Sequence, residues 1–411
     1  MGTSPNLRVL RGGWVALAVL FFSACTTTPA PRIPLAVIPT AQQARAAENL
    51  RVYQAVWSLV ADRHYDPKLQ GVDWPAAGQQ FGAQAAMAAD DTALYTVLNA
   101  MVGLLKDSHT RVFTPAQATE RSRQVRALNG IDAIRLEDGR WAVSEVLPGS
   151  PAEMAGVRPG WVVQARNGRP IGESFNFHPR DGEVVRWEFL DARDAPVSLA
   201  LTAHPLTTAP RQLARVLPDG FIYLRFDGFD AADRRWLSAQ LKEHRSAPGA
   251  VLDLRRNPGG DTFSLGTVIG EFFDRSVDCG TFISRNGAQG EKNSWQLGSA
   301  HFHGRVAILT DGATGSAAEI FSAVLQAHGR ATVVGRQTAG AVLGSQFYGL
   351  SDGGELQLSV EDYVSPRGAR LEGHGVTPDV LVPLMPWNLA DLRAQRDPDL
   401  AAALRLFAAP P

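Results

Sequence analysis

Between Arg211 and about Pro383, short apolar runs alternate with segments of helical periodicity, and this alternation narrows the open folds more than any other feature. Phe221–Leu224 and Ala250–Leu254 read as strands, with Ala231–Glu243 as the helix between them. Val306–Leu309, a helix starting near Ser316 and Thr332–Val334 continue the series. Strands separated by helices bury their apolar faces as a sheet under a helical layer, so the expected class is α/β. At 411 residues, 45% of them hydrophobic, the chain exceeds one ordinary core and predicts two or three domains.

The flanking texture is different. From Gln42 to Lys106 one helical stripe runs through Leu50, Tyr53, Val56, Trp57 and Val60, and a second through Leu94, Val97, Leu98, Met101 and Leu105. A helical N-terminal domain over 42–120 follows. Over 125–205 brief β-like runs such as Trp141–Val143 and Trp161–Val163 sit among Gly and Pro turns, which predicts a small β-rich domain before a core over 208–400. At the start, Arg8 and Arg11 precede an apolar stretch from Trp14 to Phe22, the pattern of an export signal over 1–24. Phe22-Ser-Ala-Cys25 resembles a bacterial lipobox, which implies lipidation of Cys25, a Thr/Pro-rich tether over 25–41 and an outer-membrane anchor facing the periplasm. An ordinary secretory signal is the alternative. Cys279 is the only other cysteine, so no structural disulfide is expected in the mature chain. Forty basic against forty-one acidic residues leave no basic surface for phosphates, and nucleic acid is not an expected partner.

Chemistry enters at Asp311-Gly-Ala-Thr-Gly-Ser-Ala-Ala-Glu-Ile320, where a serine lies between an apolar strand and an apolar helix. Such a junction exposes a hydroxyl for nucleophilic attack, although Ser316 and Glu319 also fit the capping-box pattern of an ordinary helix start. A nucleophile needs a base, a group that orients the base, and amide donors for the oxyanion. His109, just beyond the second helical stripe, is the candidate base. Glu372 is the candidate orienting carboxylate, and the Asn257-Pro-Gly-Gly260 turn is a source of oxyanion amides. Each alone has a plainer reading: a structural histidine, a solvated charge, a turn. His301 and His303 lack a third metal ligand at suitable spacing, and no phosphate or dinucleotide motif occurs, so no metal or cofactor is expected.

Two resemblances join these pieces. Val146-Leu-Pro-Gly-Ser-Pro-Ala-Glu-Met-Ala-Gly-Val-Arg-Pro-Gly-Trp-Val-Val-Gln-Ala-Arg-Asn-Gly168 resembles the heart of a PDZ domain, which implies binding of peptide C-termini by strand addition. The ordered set Asp107-Ser-His-Thr110, Leu252-Asp-Leu-Arg-Arg-Asn-Pro-Gly-Gly260, Gly315-Ser-Ala-Ala-Glu319, Gly335-Arg-Gln-Thr-Ala-Gly340 and Gly373-His-Gly-Val-Thr-Pro-Asp379 resembles the C-terminal processing (tail-specific) peptidases and their tricorn-like relatives. The resemblance implies a crotonase/ClpP-like α/β core carrying an inserted PDZ domain. Gly340-Ala341-Val342 stands where one branch carries a lysine base, so the match is to the tricorn-like branch. It implies Ser316 as nucleophile, His109 as base, Glu372 as orienting acid and Ser108 as auxiliary contact. Oxyanion donors would be the amides of Gly259 or Gly260 and of Ala317. The implied activity is serine endopeptidase action on envelope proteins or peptides, and the alternative is a non-catalytic peptide- or lipophile-binding protein on the same scaffold.

Overall fold

A computed structural model describes residues 30–34, 39–173, 175, 177, 179–207, 211–297, 301–383, 388–394 and 396–408; the expected signal segment and Cys25 lie outside them. The alternation over the C-terminal half folds into a six-stranded sheet, in the order Gln212–Val216, Ile222–Phe226, Gly249–Asp253, Arg305–Thr310, Thr332–Gly335 and Val380–Leu381. The first pair is antiparallel and the rest are parallel. Its central strands are buried on both faces, which is why they read as unbroken apolar runs. Ala250 and Leu252 join a core with Leu237, Ile269 and Phe321 from the helices Ala231–Glu243, Thr262–Gly270 and Ala317–Ala327. Val251 and Leu309 point the other way, into a core closed by Ala403 and Phe407 of the C-terminal helix Pro398–Ala408. Arg255 ties that helix down, bonding Asp253 at 2.6 Å, Asp397 at 2.7 Å and Asp399 at 3.0 Å, and Arg336 also holds Asp399. Removing one partner from such a buried network typically costs about 3–5 kcal/mol.

A second, five-stranded antiparallel sheet joins Arg111–Phe113, Asp278–Ser284, Gln289–Asn293 and Gly344–Gly349 around the long strand Glu355–Val364. The N-terminal helices Gln43–Arg63, Trp74–Ala86 and Asp91–Val102 pack on it. Asp73 and Asp90 start the last two by accepting the amides of Ala76 and Ala93. Leu50, Tyr53, Val56, Trp57 and Val60 are all buried, as are Leu94, Leu98, Met101 and Leu105, and they share one core with Leu356 and Leu358 of the sheet. The helices are therefore built into the body. Part of the expected tether belongs to it as well, since Ala30 and Ile33 pack against the same core. Pro31 and Ile33 lie so close to Gly78 and Gly82 that a methyl group there would come within 2.9 Å and 3.0 Å of them.

Between these parts, Ile131–Arg135, Trp141–Val146, Val162–Arg166, Val184–Leu190 and Pro196–Thr202 form a third sheet around Val143, Trp187 and Phe189. The chain enters and leaves it through the two-stranded ribbon of Val125–Leu128 and His204–Thr207. The short helix Leu389–Arg393 packs on its outside against Leu136 and Ala142, and Arg393 donates to Gly160 O at 3.2 Å.

Candidate active site

Ser316 follows the strand Arg305–Thr310 across a tight turn and caps the helix Ala317–Ala327, with φ 54° and ψ −122°. A side chain rarely tolerates a positive φ, and such strain persists where the surroundings hold it. Here they do. The Ser316 amide donates to Ala341 O at 2.8 Å and to Glu319 Oε2 at 3.1 Å. Glu319 is fully buried and also receives Gly340 N at 2.7 Å, Ala341 N at 2.8 Å and the Thr338 hydroxyl. Burial pushes its pKa up, against the pull of these donors. Thus the capping glutamate does act at the helix start, and it also fixes the turn that presents the serine.

The Asn257–Gly260 turn lies against this turn. Gly315 N donates to Asn257 O at 2.9 Å, and Thr314 Oγ1 donates to Leu254 O at 2.9 Å. Gly259 adopts φ 99°, and a methyl group on it would sit 2.6 Å from Ser316 Cβ and 2.7 Å from Ala317 N. Only glycine lets the two turns approach this closely. The Gly259 amide itself is taken, because it donates to Asn257 Oδ1 at 2.9 Å. Of the two glycines considered as oxyanion donors, Gly260 is therefore the one to keep: like Ala317, its amide has no partner among the described residues. Asn257, which the sequence offered only as part of a turn, is fully buried and sets this arrangement, donating through Nδ2 to Phe226 O at 2.8 Å.

His109 arrives on the loop after the helix Asp91–Val102, which Lys106 turns with φ 52°. Its Nδ1 is 2.6 Å from Ser108 Oγ, and that hydroxyl donates to Glu372 Oε2 at 3.0 Å. Because the Ser108 proton is spent on Glu372, the Ser108 oxygen accepts from His109 Nδ1–H. This leaves Nε2 with its lone pair, the form a general base needs. Glu372 thus acts on the imidazole through Ser108 and not directly. Glu372 also accepts Ser108 N and Val342 N, both at 3.0 Å. Burial, then the Arg111 charge, hold the His109 pKa down at about 4, so the ring is neutral at physiological pH. Ala341 and Val342 join the two halves: the carbonyl of one holds the Ser316 amide, and the amide of the other holds Glu372.

His301 and His303 do not converge. His301 Nδ1 faces Phe273 O at 3.2 Å, while His303 reaches toward Asp274 at 3.6 Å on the surface. No group of three metal-ligating side chains gathers among the described residues.

The model of peptidase family S41 matches residues 220–382, and that of the tricorn protease C1 domain matches residues 45–103. The chain is 27% identical over 369 residues to a carboxyl-terminal-processing protease of Picosynechococcus sp., covering 85% of this chain and 87% of the relative. It is 27% identical over 394 residues to tricorn protease homolog 1 of Streptomyces coelicolor, covering 88% of this chain and 35% of that longer protein. Among solved structures, the photosystem II D1 C-terminal processing protease superposes with a TM-score of 0.56 at 21% identity, over 84% of this chain and 96% of that one.

Proposed function

We propose that this serine peptidase is a member of family S41, whose model matches residues 220–382, and that Ser316 is its nucleophile, His109 its general base, and Ser108 with Glu372 the relay that orients the base. The observation that carries this reading is the shared anchorage of the two halves. One carboxylate, Glu372, holds both Ser108 and Val342, and the residue before Val342 holds the nucleophile's amide.

In this reading, His109 Nε2 takes the Ser316 proton as Oγ attacks a peptide carbonyl. The tetrahedral oxyanion is met by the amides of Gly260 and Ala317. The imidazolium then gives its proton to the leaving amine, the C–N bond breaks, and an acyl-enzyme remains. Water, deprotonated by the same imidazole, releases the acid and frees the serine. A fluorophosphonate probe tests the assignment: it should label wild type and lose its site in Ser316→Ala. Labelling should slow by about 10²–10⁴-fold in His109→Ala, and unchanged labelling of that variant would remove His109 from the mechanism.

The third sheet, with its PDZ-like segment, is proposed to receive substrate C-termini. A cavity of about 620 Å³ is lined by Leu128, Gly130 and Ile131 and by Arg126, Arg211 and Arg256, of which Arg211 pairs with Glu145 and Asp227 and Arg256 with Asp132. Its apolar side, including Leu147 and Trp187, suits a C-terminal hydrophobic side chain. Peptides with a free C-terminal carboxylate should be cut with a kcat/KM at least about tenfold above that of their amides, the size of one charge-assisted hydrogen bond. Equal rates for the two forms would exclude C-terminal recognition. Lipidation of Cys25 and an outer-membrane location facing the periplasm complete the proposal, with envelope proteins or peptides as substrates. Among the described residues no helix is long and apolar enough to cross a membrane.

A further inference from the structure

Beneath the His109 loop lies a second buried polar centre that the proposed mechanism does not use. The Asp107 side chain is 1% exposed and that of His64 is 0% exposed, and His64 Nε2 donates to Asp107 Oδ2 at 2.9 Å. Asp107 also accepts Thr110 N at 2.6 Å, Thr110 Oγ1 at 2.7 Å, His109 N at 3.0 Å and Ser359 Oγ at 3.0 Å. These bonds span the whole His109 loop and join it to the strand Glu355–Val364. Burial would raise the Asp107 pKa, yet the bonds from His64 and Thr110 bring it down to about 2, so the carboxylate stays ionised.

His64 is itself held. It ends the helix Gln43–Arg63, and Asp66 N donates to its Nδ1 at 3.2 Å. Its Nδ1 also lies 3.2 Å from Asp66 O, so both ring nitrogens are engaged. Arg285, from beyond the strand Asp278–Ser284, donates to His64 O at 2.7 Å and Ala61 O at 2.8 Å, closing the helix end. The imidazole therefore transfers the position of the N-terminal helix to the loop.

We propose that His64 and Asp107 are positioning residues for the reaction, a buried pair that fixes the backbone of His109 so that its imidazole meets the nucleophile. The inference rests on His109 being the base. It gives the N-terminal helices a part in turnover, because the donor on which the loop leans comes from them.

Displacement of a catalytic group by about 1 Å costs about 10²-fold in rate. His64→Ala is expected to lower kcat by about that factor, with KM within about twofold of wild type. His64→Gln, whose amide nitrogen can take the place of Nε2, should recover most of the loss. The pH profile separates positioning from mere stability. Asp107 and Arg111 are the charges that bear on His109, with Glu372 reaching it through Ser108, and the Asp107 charge favours the imidazolium while Arg111 opposes it. In wild type the acid limb of kcat/KM should fall near pH 4, and in Asp107→Asn it should move to lower pH with kcat reduced. The variants should be compared as folded proteins, by circular dichroism melting. Unchanged kcat in His64→Ala and Asp107→Asn would overturn the inference. So would equal losses in His64→Ala and His64→Gln that follow melting temperature with the acid limb unmoved. Failure of the underlying reading looks different, since labelling of Ser316 would then survive His109→Ala.

Discussion

Replacing Ser316 by alanine is expected to lower peptide hydrolysis by about 10⁵-fold or more while leaving substrate affinity within a few-fold, because the residues of a nucleophile–base unit fail together. The change removes only the hydroxyl. The Ser316 amide still donates to Ala341 O and Glu319, and the turn keeps its anchors. An alanine at φ 54° meets the same backbone strain as the serine, so the melting temperature should stay within a few degrees. Steady-state kinetics with a quenched peptide, beside binding of that peptide to the variant, is the measurement. Turnover within tenfold of wild type would mean that another group carries the attack. His109→Ala should approach the same floor, and the double variant should be little worse than either single one.

Gly260→Ala should cost about 10²–10³-fold in kcat, the loss typical of one oxyanion donor. Its backbone does not need a positive φ; what it needs is space. A methyl group there would lie 2.2 Å from Phe229 O, and backbone cannot yield as a side-chain tip can. The turn must withdraw from Phe229, in the loop after the strand Ile222–Phe226, and the amide proposed to meet the oxyanion goes with it. KM should change little, since the ground-state carbonyl makes weaker use of that donor. If kcat holds and KM alone rises, Gly260 shapes the cleft but does not stabilise the transition state.

The sequence made the strand–turn–helix around Ser316 legible because each part has a local cause. Val306–Leu309 lies within the strand Arg305–Thr310, and the helix that follows ends beside Gly329, whose φ of 65° suits a helix terminus. Ala231–Glu243 was readable to the residue, its start set by Asp230 accepting the amides of Ala232 and Asp233. The candidate site was legible as residue types only. What periodicity could not supply were contacts between distant stretches. Nothing near Ser108 says that its hydroxyl stands between His109 and a glutamate 264 positions away. Nor does the Asn257-Pro-Gly-Gly260 turn disclose that one glycine amide is taken by the asparagine two residues earlier, leaving the next without a partner among the described residues. His64 carried no signal, since a histidine at a helix end looks like many others until Asp107 is found beside it. The tether was mistaken in part for a similar reason: Pro31 and Ile33 look like spacer residues, and only the glycines of the second helix make room for them.

That seating of Pro31 and Ile33 sets a leash length. If Cys25 carries the lipid, five residues lead from it to Ala30, which packs with the body. Fully stretched, at about 3.3–3.6 Å per residue, they reach about 18 Å. A peptidase so anchored would work within a headgroup layer's depth or two of the bilayer, and it would meet polypeptides that emerge at that surface before those diffusing farther out.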